Sequence, residues 1–189
     1  MRFARIALAL VVPPALFVQG FGCSDPVPAI PRGAYVVSLV DFPTTDCEIV
    51  GHNGEVGAVA DATKAKLYND AEEGAQVSCE VSGEGTFRVE GSIFLGGNLL
   101  EIVVPGIAPG TGPTAPASGS IGYASLETGG QAYSSEQCQF WFANEQQGVA
   151  AGKFWAGFSC EAVVSEMSSC KISQGWVIFE NCGTGTVED

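Results

Sequence analysis

Hydrophobic and polar residues alternate with a period of two along much of this chain, which places successive side chains on opposite faces of extended strands. From Thr86 to Leu95, Phe87, Val89, Gly91, Ile93 and Leu95 share one face, and Arg88, Glu90 and Ser92 share the other. Phe154, Ala156, Phe158, Cys160 and Ala162 form a second such face, and Val177, Phe179 and Asn181 a third. Further strands are expected at Ala34–Val40, Cys47–Val50, Ala75–Val81, Leu99–Val104 and Ser120–Leu126. Ser82-Gly83-Glu84-Gly85 separates two apolar runs and reads as a hairpin turn. Pro105 to Ser120 holds four prolines and four glycines without periodicity, which predicts an extended loop. From Glu55 to Ala71, Val56, Val59, Ala60, Thr63, Leu67 and Tyr68 fall at helical spacing; a short helix and a strand–turn–strand are both open there. The expected fold is all-β: an antiparallel β-sandwich or partly closed barrel with at most one short helix, one domain over residues 34–189.

Composition narrows the partners. The 189 residues carry 8 Lys+Arg against 21 Asp+Glu, a net charge of −13. Nucleic acid and anionic lipid headgroups both call for a basic footprint, so neither is expected as the main partner. A hydrophobic content of 46% with only 15% charged residues excludes a disordered acidic tail.

The first residues carry an address. Arg2 and Arg5 precede an apolar run from Ile6 to Val18. Thirteen residues rise only about 20 Å as a helix, short of a hydrocarbon core of about 30 Å. Residues 1–22 therefore read as an export signal peptide. Gly20 and Gly22 suit ordinary secretion, and the same residues followed by Cys23 resemble the lipobox of bacterial lipoproteins, although Gly20 stands where that motif usually has Leu. That resemblance implies a diacylglyceryl group on Cys23. Residues 23–33 would then be a lipidated cysteine and a Pro-rich spacer. Ser24 after that cysteine resembles the sorting signal for an outer-membrane destination, on the periplasmic or surface face; plain secretion is the alternative. Cleavage before Cys23 removes two arginines and no acids, leaving 6 basic and 21 acidic groups, net −15.

Cysteine arithmetic agrees with an anchor. There are seven: Cys23, Cys47, Cys79, Cys138, Cys160, Cys170 and Cys182. If lipid consumes Cys23, six remain for three disulfides. A hairpin centred near Val149 opposes residues whose numbers sum to 298, so Cys138 faces Cys160, Phe140 faces Phe158 and Phe142 faces Ala156. Directly opposed cysteines can have the separation a disulfide needs, which favours Cys138–Cys160. Cys47–Cys79 and Cys170–Cys182 would complete the set, but six cysteines allow 15 pairings and the sequence does not choose among them.

Three stretches carry a further resemblance: Cys47-Glu48-Ile49-Val50-Gly51-His52-Asn53-Gly54, Val77-Ser78-Cys79-Glu80-Val81, and Gly175-Trp176-Val177-Ile178-Phe179-Glu180-Asn181-Cys182. They resemble a pattern in small cysteine-rich bacterial lipoproteins of unassigned function. The resemblance implies an exported β-sandwich and brings no catalytic motif.

Chemistry-bearing motifs are scarce. His52 is the only histidine, sits in Gly51-His52-Asn53-Gly54, and reads as a satisfied turn or surface residue. No Gly-x-Ser-x-Gly elbow accompanies it. One histidine without a Cys-x-x-Cys pair makes no ordinary zinc site, and no metal or cofactor is expected. Asp70-Ala71-Glu72-Glu73-Gly74 lacks the alternating ligands of a calcium loop and reads as an acidic turn. Tryptophan placement is more suggestive. In the same register Trp141 opposes Gly157 and Trp155 opposes Ala143, on the face away from Cys138 and Cys160, with Trp176 a further candidate from the last strand. Trp141, Trp155 and Trp176 are thus a candidate binding platform for a sugar ring or a partner's apolar patch; a covered core face is the alternative. The expected role is a non-catalytic envelope lipoprotein with a carbohydrate or protein partner. The rival is a secreted hydrolase or an inhibitor-like protein.

Overall fold

The computed structural model describes residues 29–41, 47, 49, 51–59 and 64–185. Residues 1–22, Cys23 and most of the Pro-rich spacer lie outside them. Eleven strands occur among the described residues: β1 Arg32–Val40, β2 His52–Val56, β3 Tyr68–Asn69, β4 Gln76–Glu84, β5 Thr86–Leu95, β6 Asn98–Ile107, β7 Ala117–Ala124, β8 Ala132–Trp141, β9 Gly148–Ala150, β10 Lys153–Val164 and β11 Ser169–Glu180. They form one sheet in the order β2-β1-β11-β10-β8-β7-β6-β5-β4, with β3 added to β1 and β9 to β10. All strand pairs are antiparallel. The sheet curls into a half-barrel, so the all-β expectation holds in its partly closed form.

The curl follows from the alternation. Side chains of one parity close on each other as a continuous interior that includes Val89, Ile93, Leu100, Ile102, Phe140, Phe158, Ile172 and Phe179, each at most 2% exposed. A sheet so loaded on one face must bend to remove it from water. Opposite regions meet across the interior. A Cβ at Gly91 of β5 would lie 2.5 Å from the Phe179 ring of β11, so only glycine admits that ring. Phe140 and Phe158 stack at 5.5 Å in the same core.

Three disulfides hold the curl. Cys138–Cys160 joins β8 to β10, and the register pairs Cys138 with Cys160, Phe140 with Phe158 and Trp141 with Gly157. The other two pairings differ from the Cys47–Cys79 and Cys170–Cys182 set. Cys47 bonds Cys170, and Cys79 bonds Cys182. The cause is topology: β11 is the central neighbour of both β1 and β10, so its two ends reach Cys47 and, beyond Glu180, Cys79. The Cys79–Cys182 bond sits beside a parallel bridge between Glu80 and Gly183, which fastens the segment after β11 to the edge strand β4.

Local outcomes correct several expectations. β5 spans the predicted range, and β4 and β5 turn at Gly85. Of the strand expected at Cys47–Val50, residues 48 and 50 lie outside the described residues, Cys47 and Ile49 are not in a strand, and β2 begins at His52. The ambiguous stretch from Glu55 is strand–turn–strand where it is described: β2 ends at Val56, Ala58 bridges Lys66, and β3 follows. The Pro-rich loop is shorter than expected, because β6 runs on to Ile107 and β7 starts at Ala117. Helix among the described residues is limited to two three-residue 3-10 turns, Glu72–Gly74 and Leu126–Thr128. The acidic stretch forms the first, where the Asp70 carboxylate accepts from the Val77 N–H at 2.9 Å and Glu72 accepts from the Asn69 N–H at 2.9 Å.

Candidate functional site

On strands β1, β11, β10 and β8 the residues of opposite parity to the core face outward, and strand register arranges them in rows. One row runs Val36, Trp176, Gly157, Trp141; the next Ala34, Ile178, Trp155, Gly148; the third Arg32, Glu180, Lys153, Ala150. On the other side of the first row lies a polar one, Ser118, Gln139, Ser159. Neighbouring rows are two residues apart along each strand, about 7 Å.

All three tryptophans therefore share the outer face, but their environments differ. Trp155 is 9% exposed and packs with Ala34, Val59 and Ile178 beneath Ala65 and Leu67 of the segment between β2 and β3. Trp176 flanks this small outer core and is half-buried. Trp141 stands outside it, also half-buried. The expected Trp155–Ala143 opposition does not form, because β8 ends at Trp141 and β9 supplies Gly148 opposite Trp155. Phe142 likewise leaves the ladder that would have paired it with Ala156.

Gly157 is the centre of the aromatic row. Trp141 opposes it from β8 and Trp176 from β11. A Cβ there would lie 2.7 Å from Cζ3 of Trp176, so the indole lies over bare backbone. The result is a low aromatic patch in which Trp176 covers Gly157 and Trp141 stands on its other side, both indoles partly exposed. It borders a shallow groove of about 570 Å3 lined by Ser118, Ser134, Gln137, Gln139 and Glu161, among others. Flat π-faces beside amides, hydroxyls and a carboxylate suit a ligand with one apolar face and several hydroxyls.

His52 is not in a turn and not at the surface. It opens β2, where His52, Gly54 and Val56 point inward, and it is 8% exposed. Its Nε2 lies 2.6 Å from the Tyr123 hydroxyl and its Nδ1 3.4 Å from the Glu127 carboxylate. Glu127 is set by the second 3-10 turn, whose N-cap Ser125 accepts from the Glu127 N–H and donates to Asn98. Carboxylate, imidazole and phenol in line resemble a relay, but Tyr123 is 1% exposed, and burial pushes its pKa up to about 12. A phenol so strongly held in its protonated form is a poor nucleophile. The trio gives the buried ring one hydrogen-bond partner, the Tyr123 hydroxyl, and a nearby carboxylate. Alternation through His52-Asn53-Gly54-Glu55-Val56 is the sequence signal for its inward position.

No group of three or more His, Cys, Asp or Glu side chains among the described residues is arranged to hold a metal ion. No family model, curated protein or solved structure matches the chain.

Proposed function

We propose that this chain is an exported, lipid-anchored envelope protein whose role is to bind rather than to catalyse, and that the Trp141–Gly157–Trp176 row is its binding surface for carbohydrate. The observation that carries the binding role is the pair of partly exposed indoles in register with one glycine, beside the polar row of Ser118, Gln139 and Ser159. Aromatic faces take the apolar face of a pyranose, and the neighbouring amide and hydroxyls take its edges. Three disulfides support the exported address, because such bonds persist in oxidising compartments. The basic start, apolar run and Cys23 support a lipid anchor. The hydrolase reading loses its main residue, since His52 is enclosed with Tyr123.

Titration of the purified chain with solubilised envelope oligosaccharides, read by tryptophan fluorescence and calorimetry, tests the surface. The expected result is saturable binding with quenching, lost by at least tenfold in both Trp141→Ala and Trp176→Ala. A blue-shifted emission that resists soluble quenchers, or unchanged affinity in both variants, would overturn the platform.

A further inference from the structure

A second site lies on the same outer face, two rows from the platform and about 14 Å away along the strands. It is a cleft of about 480 Å3 between Arg32, Lys153 and Glu180 on one side and Lys66 and Leu67 on the other, with Trp155 also in its lining. Only six basic residues follow Cys23, against 21 acidic ones. Three of those six line this cleft, and Glu180 is its one acid. In a chain of net charge −13 this is a concave concentration of cations, although Glu72 and Glu73 lie near enough to act on Lys66.

The hydrogen-bonding groups are unbalanced in the same sense. Glu180 stands between Arg32 and Lys153 in one cross-strand row. Its Oε2 accepts from Arg32 Nε at 2.9 Å, and its Oε1 lies 3.3 Å from Lys153 Nζ. Burial raises the Glu180 pKa, but these two cations outweigh it and hold the carboxylate below the usual range. The acid is thus committed to fixing two cations, which still have N–H donors to spare. Lys66 Nζ donates to the Tyr68 hydroxyl at 2.8 Å, leaving further donors of its own. Trp155 adds an indole Nε1 that is buried and has no hydrogen-bond partner among the described residues. A buried donor without an acceptor is uncommon, because desolvation of an N–H is costly unless something accepts from it. Guanidinium and two ammonium groups thus keep donors beyond the acceptors they already have, and the Trp155 N–H has none among the described residues.

We propose that this cleft binds a small ligand through a compact oxyanion, a carboxylate or a phosphate. The cations would straddle the anion, and the Trp155 ring in the lining would report its arrival. This assignment is independent of the platform, which uses Trp141 and Trp176.

Titrating the full chain at low salt with glucuronate, glucose 6-phosphate and uncharged glucose tests the cleft, with calorimetry and the tryptophan indole N–H resonances as readouts. Trp155→Phe identifies the Trp155 resonance. The expected result is that at least one anion moves that resonance while glucose does not. Affinity should drop at least tenfold in Lys153→Gln and in Lys66→Gln, two exposed-side substitutions whose folding is checked by circular dichroism. A response to glucuronate alone assigns a carboxylate ligand, to glucose 6-phosphate alone a phosphate, and to both a site that reads charge. No response to either anion, an equal response to glucose, or unchanged affinity in both lysine variants would overturn the proposal.

Discussion

Strands β8, β10 and β11 carry aromatic residues on both faces, and the two faces have opposite fates. Inside, Phe140, Phe154, Phe158 and Phe179 are fully enclosed. Outside, Trp155 is covered by the segment between β2 and β3, while Trp141 and Trp176 stay half-exposed. The residue types are similar and the alternation is the same. What differs is the cover: the inner face is closed by the curl of the whole sheet, the outer face only by one short segment. An aromatic on a strand is therefore core or contact surface according to what the rest of the chain lays over it, and the period of two says only which side it takes.

That contrast can be broken from its strongest part downward. Removing a long-range disulfide acts on the enclosure itself. In the chain-entropy account, Cys47–Cys170, with a separation of 123 residues, stabilises by about 5 kcal/mol, and Cys138–Cys160, with 22, by about 3 kcal/mol. Paired Ala substitutions should lower the denaturation midpoint in that order, measured by guanidinium unfolding of each double variant. Next come the two faces directly. Phe158→Ala should cost about 3–5 kcal/mol, because a closed interior cannot relax around the hole. Trp176→Ala should cost less, about 1–2 kcal/mol, since its indole is partly exposed at the edge of the outer core. Equal losses from the two would mean that the outer face is as closed as the inner one. The smallest effect is electrostatic. Glu180 is held ionised by Arg32 and Lys153, so its contribution is fully present above the ordinary glutamate pKa and is lost as pH falls below it through the lowered folded-state pKa. For a partly exposed cluster this amounts to about 1 kcal/mol or less. Glu180→Gln should flatten the acid limb of a thermal-stability profile by that amount, and an unchanged limb would remove the cluster from the ledger of stabilising contacts.

Much of the sheet was legible because it is built from local alternation. Phe87 through Leu95 is a strand in its own pattern, and one hairpin register sufficed to bring Cys138 to Cys160. What was not legible depends on parts of the chain that meet only after folding. Cys47 and Cys79 are near in sequence, yet each finds its partner near an end of β11, over separations of 123 and 103 residues. His52 looked like a turn because glycines flank it, whereas pairing with Leu39 of β1 makes it a strand residue. The tryptophan row was half visible. Gly157 could be placed opposite Trp141 from one hairpin, but its contact with Trp176 needed the β10–β11 register, and the cover over Trp155 needed the return of residues 65–67. The cationic cleft left no trace at all in the sequence, since Arg32, Lys66 and Lys153 lie far apart along it.

The crossed sulfur pairings bear on the order of oxidation. A chain made from its amino end presents Cys47 and Cys79 well before Cys170 and Cys182 exist, so the first thiols to meet are a mismatched couple. Correct maturation then requires that they wait, or that an early wrong bridge be reshuffled once the last strand arrives. Only the Cys138–Cys160 staple can close soon after its own hairpin is made. A thiol–disulfide isomerase should therefore speed recovery of the native chain far more than an oxidant alone.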